Sequence, residues 1–387
     1  MSWYFLHVNI DRAAYRERLN DTIERSPSTG LLGPRQCGKT TLAHEIASRQ
    51  GVHFFDLESP RDQLRLQNPQ LALERLGGLV VLDEIQSRPD LFPLLRVLID
   101  RPENLARFLL LGSASPTLIR SAGESLAGRI QFVDLHGFDI SELGVDAEDA
   151  CWSRGGFPLS VLAPSDADSL GWREGFLRTF LQRDLPQFGI QVPEPTMRRF
   201  WTMLSHAHGQ VLNSSGLARS MGMSDKTIRG YVDHLEQTYM VRVVPPWYEN
   251  LKKRQVKAPK VYIRDSGLLH ALQSIPDGET LRTHPVVGAS WEGFALEQLI
   301  RIQNLFQVYF WATHTGAELD LFVLVGGKRL GFEFKFAESP RITRSMRVAL
   351  ADLRLDHLYI IHPGKEQVPL DDCISAVGLR QIPDLFD

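Results

Sequence analysis

The stretch GPRQCGKT at residues 33–40 matches the pattern G-x-x-x-x-G-K-[ST] of a phosphate-binding loop. It follows the apolar pair Leu31 and Leu32, and the next segment, 41–49, has the apolar spacing of a helix. This strand–loop–helix context favours a nucleotide site over the alternative interpretation, a Gly-rich turn. The sequence therefore predicts an α/β domain that binds a nucleoside triphosphate.

Each position in this loop has an expected role. Gly33 and Gly38 let the backbone curl so that successive N–H groups face the phosphates. Lys39 is expected to reach the β- and γ-phosphate oxygens, and Thr40 to offer its hydroxyl to Mg²⁺. The expected nucleotide contacts are Gly33, Pro34, Arg35, Gln36, Cys37, Gly38, Lys39, Thr40 and Thr41.

An acidic pair follows a second apolar run, LVVLDEIQ at 79–86. Such a run is typical of a buried parallel strand with acids at its C-terminal edge. Asp83 is expected to hold Mg²⁺ through water and Glu84 to act as the general base. An acidic pair after a strand can also be a helix cap, but the phosphate loop upstream favours the catalytic interpretation.

Two further strands are predicted at 106–115 and 130–138. The first ends in Ser113 and Ser115, and Ser113 is the candidate sensor of the γ-phosphate. Arg129 comes immediately before the second strand, after the helical segment ESLAGR. The arrangement resembles AAA+ ATPases, in which an arginine at this place reaches the γ-phosphate of the neighbouring subunit. The alternative is a solvated arginine beside a helix C-terminus.

Length and composition favour a multi-domain enzyme without membrane segments. A chain of 387 residues exceeds what one hydrophobic core usually holds, so two or three domains are expected. The N-terminal residues are quickly charged and lack a small-residue cleavage site, and no apolar run of 18 residues occurs. The three cysteines lack disulfide or metal spacing. We therefore expect a cytoplasmic protein that does not associate with a membrane.

The segment 196–264 is basic, with 12 Lys and Arg against 4 Asp and Glu, in a chain of net charge −3. Two helices separated by Met221-Gly222-Met223, followed by a strand, predict a winged helix-turn-helix. Such a helix pair can be a packing unit, but the charge excess favours contact with DNA phosphates. The expected nucleic-acid contacts are Lys226, Thr227, Arg229, Lys252, Lys253 and Arg254.

From residue 290 onward the pattern is helix, three strands and a basic helix. Strand alternation places Glu333 and Lys335 on one face, and Asp320 precedes them across the turn Gly326-Gly327. An Asp and a Glu can hold a divalent metal while a lysine polarises water. With Glu292 as an extra acid, the set Glu292, Asp320, Glu333 and Lys335 resembles the PD-(D/E)XK nucleases. A solvated strand face is the alternative.

Across nearly the whole chain, these motifs together with GGFP (155–158) and FLQRDLPQFGI (180–190) resemble one family of bacterial and archaeal AAA-type ATPases. The resemblance implies ATP and Mg²⁺ as cofactors, with a P-loop AAA+ ATPase core, a helical lid, a winged helix-turn-helix module and an α/β restriction-endonuclease-like domain. The expected boundaries are 1–145, 146–195, 196–264 and 265–387. Family members tend to have an arginine where this chain has Ala312, which leaves the nuclease-like pocket one positive charge short.

The expected activity is ATP hydrolysis by a DNA-binding homo-oligomer, a hexamer, that moves along or remodels duplex or branched DNA. An arginine acting on a neighbour requires such an assembly. Two alternatives remain open: an ATP-dependent or metal-dependent DNA nuclease, and an ATP-switched signalling or defence regulator.

Overall fold

The computed structural model describes residues 10–48, 51–102, 106–113, 123–249 and 255–386. The chain forms two compact units. The first reaches Gly137 and also contains Gln237–Tyr239, and the second contains Phe138–Glu236 and the chain from Met240. Among the described residues, no helix is both long and apolar enough to cross a membrane.

The first unit alternates strands and helices. Its strands are β1 Ser28–Gly33, β2 Val52–Asp56, β3 Gly78–Asp83, β4 Ala106–Ser113 and β5 Ile130–Asp134. Its helices are α1 Ala13–Arg25, α2 Lys39–Ala47, α3 Pro60–Arg65, α4 Pro69–Leu73 and α5 Leu91–Ile99, with a 3₁₀ turn at Ile85–Ser87. The predicted strand at 106–115 ends at Ser113 where the described residues stop, so Ser115 lies outside them.

The five strands of the first unit form one parallel sheet in the order β2-β3-β4-β1-β5. Continuous apolar runs such as Val80–Leu82 are buried because a parallel sheet is covered on both faces. The α5 side chains Leu91, Leu95 and Leu98 pack on one face together with Leu110. Since β4 lies between β1 and β3, its C-terminal end comes between the phosphate loop and the acidic pair.

The second unit begins with helices and continues into a small sheet. Its helices are α6 Ile140–Leu143, α7 Glu148–Arg154, α8 Pro158–Val161, α9 Asp166–Thr179, α10 Leu185–Gln187, α11 Glu194–Ser205, α12 Ser214–Met221, α13 Asp225–Gln237, α14 Ser266–Leu272, α15 Gly278–Thr283, α16 Val287–Ile302 and α17 Arg344–Asp352. A π-helical turn spans Phe180–Asp184, and 3₁₀ turns span Val145–Ala147 and Leu379–Gln381. Strands β6 Gln210–Val211, β7 Val241–Val244 and β8 Lys260–Ile263 form an antiparallel sheet in the order β6-β8-β7.

A six-stranded mixed sheet completes the second unit. Its strands are β9 Val308–Ala312, β10 Glu318–Val325, β11 Lys328–Phe334, β12 His357–His362, β13 Val368–Asp371 and β14 Ile374–Gly378, in the order β13-β14-β12-β11-β10-β9. Helix α16 packs in one apolar core and α17 in another. The helix, three strands and second helix thus lie where the sequence pattern predicts them.

Candidate active site

The phosphate loop joins β1 to α2 with a backbone that only certain residues adopt. Gly38 has φ +99° and Gln36 has φ +63°, both in the left-handed region. A Cβ on Gly33 would lie 2.0 Å from the carbonyl oxygen of Leu135, so a side chain there would push the loop away from the end of β5. These positions explain why the loop needs glycine at both ends of its motif.

Lys39 and Thr40 begin α2 and contact the groups expected for a phosphate site. The Lys39 ammonium donates to the carbonyl oxygens of Gly33 and Pro34, at 3.0 and 2.8 Å. The Thr40 hydroxyl donates to Asp83 Oδ2 at 2.8 Å. Burial raises the pKa of Asp83, and the Thr40 hydrogen bond opposes that rise. The predicted pair of Mg²⁺-binding side chains is therefore assembled by the fold.

Glu84 follows β3 in a left-handed conformation, with φ +54°. Its backbone N–H donates to Asp83 Oδ1 at 2.9 Å, and its carboxylate accepts a hydrogen bond from the Gln86 side-chain amide. Glu84 therefore lies in a backbone turn directly after the strand that ends in Asp83. Gln86 is a contact that sequence reasoning did not anticipate.

Ser113 ends β4 directly beside Gly33, its partner in the parallel register with β1. The side chain is buried, and its hydroxyl has no hydrogen-bond partner among the described residues. Buried hydroxyls are normally hydrogen-bonded, so a hydroxyl without a partner at this place fits a group that donates a hydrogen bond to a ligand oxygen. The side chains of Lys39, Thr40, Asp83 and Ser113 therefore fit a nucleoside triphosphate with Mg²⁺.

Arg12 is a buried residue at this site that sequence reasoning missed. It precedes α1, and its guanidinium donates to the carbonyl oxygens of Cys37 at 3.0 Å and His136 at 3.1 Å, with a longer contact to Gly137 at 3.5 Å. One side chain thus ties the phosphate loop to the segment after β5. A lone arginine before a helix carries no sequence signal for this role.

Arg129 lies in a turn at 127–129 rather than at the end of a helix, and the turn leads directly into β5. Its guanidinium pairs with both carboxylate oxygens of Asp100, at 2.6 and 2.8 Å. Because Ile130 pairs with Ser28 at the start of β1, Arg129 lies at the opposite end of that strand from the phosphate loop. Arg129 therefore lies away from the phosphate loop of its own chain.

The helix α13 carries the residues predicted to contact DNA. Ser224 caps it by accepting a hydrogen bond from the Thr227 backbone N–H at 3.1 Å. Lys226 and Arg229 are exposed, and Arg229 pairs with Asp225 at 2.8 Å. The other predicted contacts, Lys252, Lys253 and Arg254, lie outside the described residues.

The charge count of segment 196–264 overstates its exposed basic face. Arg242 and Arg264 both pair with the buried carboxylate of Glu297, which Arg301 also contacts, and Lys260 is buried among other acids. These cations are neutralised inside the fold because α16 and β10 supply carboxylates from outside the segment. Three of its basic residues are therefore not available to phosphates.

The second unit brings together the four predicted nuclease-like residues. Lys335 contacts Glu333 at 2.7 Å and Asp320 at 3.5 Å, which confirms that Glu333 and Lys335 share a face. Lys260 lies 3.2 Å from Asp320 and 3.3 Å from Glu292. The pocket therefore contains a second lysine, brought by β8, that the sequence pattern did not reveal.

An irregularity in β10 positions Asp320. The register with β9 shifts between Leu319 and Phe322, which both pack in the core of α17, whereas Leu321 packs in the core of α16. Such a bulge re-aims neighbouring side chains. Asp320 therefore lies within β10, at the register shift.

The pocket contains more carboxyl groups than its two lysines can neutralise, and this imbalance affects the protonation of the carboxyl groups. Burial and the neighbouring Asp320 raise the pKa of Glu333 to about 8, and the same two causes raise that of Glu292 to about 7. Although burial acts in the opposite direction, Lys260 and Lys335 hold the pKa of Asp320 below its ordinary value. Asp320 is thus the ionised acid between two ammonium groups.

These contacts do not fit a metal. Both lysine ammonium groups lie against the carboxylates that would bind the metal, and the Phe334 backbone N–H donates to Asp320 Oδ2 at 3.2 Å. Among the parts of the chain that the structure describes, no group of three or more His, Cys, Asp or Glu side chains could hold a metal ion.

Comparison with known proteins places these sites in a family. A family model described as an AAA domain matches residues 25–144, and two described as domains of unknown function, DUF8612 and DUF4143, match 146–279 and 287–382. The uncharacterized proteins Rv2008c of Mycobacterium tuberculosis and Mb2031c of Mycobacterium bovis are each 49% identical over 373 residues, covering 96% of this chain and 85% of theirs. The chain belongs to their family. This chain is a P-loop AAA-type ATPase with a C-terminal DUF4143 domain.

A solved structure shows a weaker likeness to this family member. The Walker-type ATPase paby2304 of Pyrococcus abyssi is 17% identical, with a TM-score of 0.44, and the match covers 68% of this chain and 96% of that one. A likeness of this degree does not bear on the chemistry of either site.

Proposed function

We propose that the chain is an ATP-hydrolysing, DNA-binding homo-oligomer. The ATPase proposal rests on the hydrogen bond from the Thr40 hydroxyl to Asp83 Oδ2, 2.8 Å long, beside the phosphate loop. The Ser113 hydroxyl, which has no hydrogen-bond partner among the described residues, lies next to Gly33. MgATP bound there would supply the reactive γ-phosphoryl group and the cation that offsets its charge. The chain needs to supply only the positioning of these groups and a base.

Within this proposal, each side chain has a separate task. The Lys39 ammonium exchanges its neutral carbonyl acceptors for phosphate oxygens, a charge-assisted and therefore stronger hydrogen bond. Thr40 and Asp83 orient the cation. Glu84 accepts the proton of a water, and the Gln86 amide holds its carboxylate in place.

The decisive experiment measures ATP turnover and ATP affinity for the wild type and Glu84→Gln. The variant is expected to bind ATP normally and to stall hydrolysis. Glu58→Gln, an exposed acid of the same unit, is the matched control and should hydrolyse ATP at the wild-type rate. Turnover of Glu84→Gln at that rate would exclude Glu84 as the base.

DNA is the proposed partner because α13 exposes Lys226 and Arg229 next to Thr227. Contacts with phosphates supply most non-specific affinity and make it depend on salt. Anisotropy across a salt series, with single-stranded, duplex and four-way DNA, should show weaker binding and a flatter slope after charge reversal of Lys252, Lys253 and Arg254. The exposed Lys365→Glu is the control. An unchanged slope would move the DNA site, with Arg341, Arg344 and Arg347 as the next basic surface.

Tyr239, which follows α13 in the chain, is proposed as the route by which DNA binding affects the phosphate loop. Helix α13 ends at Gln237, and Tyr239, in the first unit, donates from its hydroxyl to Asp134 at 2.5 Å while its ring packs on His136. The His136 carbonyl accepts from the same Arg12 guanidinium that binds Cys37. Under this proposal Tyr239→Phe keeps basal turnover but reduces its stimulation by DNA, and full stimulation in the variant would exclude the route.

A further inference from the structure

The second unit contains an ion-pair cluster whose arrangement is independent of the nucleotide site. Strand alternation places Lys260, Tyr262 and Arg264 on one side of the β8 chain, and Arg242 lies opposite Tyr262 on β7. All four side chains meet carboxylates of α16: Lys260 and Tyr262 contact Glu292, and Arg242 and Arg264 contact Glu297. One face of the small sheet is thus built to match one helix of the C-terminal domain.

Lys260 extends this contact beyond the helix to the edge of β10. Only 3% of its side chain is exposed, and its ammonium contacts Glu292 and Asp320, at 3.3 and 3.2 Å, as well as Glu318. Glu292 comes from the helix α16, and Glu318 and Asp320 come from the strand β10. The Lys260 ammonium therefore lies at the centre of the acidic cluster.

The Glu292 and Asp320 oxygens lie at hydrogen-bonding distances from the Lys260 ammonium, 3.3 and 3.2 Å. Mg²⁺ and Ca²⁺ need oxygen ligands at about 2.0–2.6 Å, whereas N–H···O contacts lie near 3 Å. Asp320 has both oxygens engaged, Oδ1 by Lys260 and Oδ2 by Lys335 and the Phe334 backbone N–H. The Tyr262 hydroxyl donates to Glu292 Oε1 at 2.7 Å. The site is satisfied by groups of the protein itself.

We propose that the Lys260 ammonium is the built-in cation of this acidic pocket, in the place that a divalent metal would otherwise take. The pocket then joins the three-stranded sheet to the C-terminal domain and does not carry metal-dependent cleavage. Close packing at the same joint supports this role. A Cβ on Gly293 of α16 would lie 2.1 Å from His208 Nε2, in the turn before β6, and 3.3 Å from the Tyr262 ring of β8, so this place on the helix favours glycine.

The test replaces Lys260 with a side chain of similar length and no charge, in the full-length protein. Binding of Mn²⁺ is measured by electron paramagnetic resonance in the absence of nucleotide, for the wild type, Lys260→Met and the double variant Lys260→Met/Asp320→Asn. We expect no Asp320-dependent Mn²⁺ site in the wild type, one new site in Lys260→Met, and its loss in the double variant. Millimolar Mn²⁺ should also restore part of the melting temperature that Lys260→Met loses.

Lys257→Met, an exposed lysine three residues earlier, is the matched control and should change neither Mn²⁺ binding nor melting. Should Lys260→Met fail to fold, the wild type and Asp320→Asn still decide, because a wild-type Mn²⁺ site that Asp320→Asn removes would overturn the proposal. A folded Lys260→Met that binds no Mn²⁺ would overturn it as well. Neither result depends on whether the protein hydrolyses ATP.

Discussion

Lys39 and Lys260 are both buried lysines close to acids near strand ends, but they differ in what holds them. Lys39 donates to two neutral carbonyl oxygens of its own loop, whereas Lys260 contacts three carboxylates from α16 and β10. A lysine held by neutral acceptors gains a stronger partner when a phosphate arrives. A lysine held by carboxylates has no such gain. The contacts of Lys39 therefore suit ligand binding, and those of Lys260 suit a permanent link between the small sheet and the C-terminal domain.

The largest expected effect comes from Lys39→Met, which should abolish ATP binding and turnover because no other side chain in the loop carries an ammonium. Fluorescent-nucleotide titration and a turnover assay measure both quantities. The comparison between the two lysines fails if Lys39→Met retains wild-type nucleotide affinity.

Arg129→Ala is expected to lower turnover by roughly a thousandfold while ATP affinity stays nearly unchanged, because an arginine finger acts on transition-state charge. Its pair with Asp100 is largely exposed and easily exchanged, in contrast to the buried pairs of Lys260. Mixing Arg129→Ala subunits with Lys39→Met subunits should restore part of the activity. Full turnover of Arg129→Ala as a strict monomer would rule out the role in a neighbouring subunit.

Lys260→Met should lower the unfolding free energy by about 3–5 kcal/mol, because removing one partner of a buried ion pair leaves charge uncompensated. Its nucleotide affinity should equal that of the wild type, the reverse of the Lys39→Met result. Urea unfolding, with Lys257→Met as control, gives the value. A loss below about 1 kcal/mol would mean that the pocket tolerates an unmatched acid.

Arg12→Ala is expected to raise the KM for ATP and lower turnover by about tenfold, because the guanidinium that links the Cys37 carbonyl of the loop to the His136 carbonyl after β5 is lost. Arg12→Lys should recover less than half of the loss, since one ammonium cannot reproduce the planar fork. Arg25→Ala, an exposed arginine of the same helix region, controls for charge. Equal kinetics in Arg12→Ala and Arg25→Ala would exclude a positioning role.

The smallest effect concerns acid stability at the joint. Burial lowers the pKa of His208 to about 4, from 6.5. As the pH falls, the unfolded chain takes up this proton before the folded chain does. The unfolding free energy that neutral His208 contributes is therefore present above pH 6.5 and is lost as the pH falls towards 4. The loss is at most about 1.4 kcal/mol per pH unit. His208→Gln should flatten this part of the unfolding profile. The exposed His206→Gln should not, and an equal effect of both would assign the acid loss elsewhere.

Much of the candidate nucleotide site could be predicted from the sequence because its determinants are local. Gly38, Lys39 and Thr40 follow one another in a single turn, and Asp83 and Glu84 end one apolar strand. Strand alternation likewise sufficed to place Glu333 and Lys335 on a common face. Such patterns depend on neighbours within a few residues and need no knowledge of the fold.

Tertiary structure decided the contacts between distant segments. Arg12 reaches Cys37 and His136 only because α1 packs beside β1 and β5. Lys260 looked like one more basic residue of a DNA-binding segment, yet the fold buries it against Glu292 and Asp320. Charge in a sequence does not tell whether a cation faces solvent or acids from other elements. The local sequence therefore determined which residues form the candidate nucleotide site, and the packing of distant elements decided which lysine is neutralised by carboxylates.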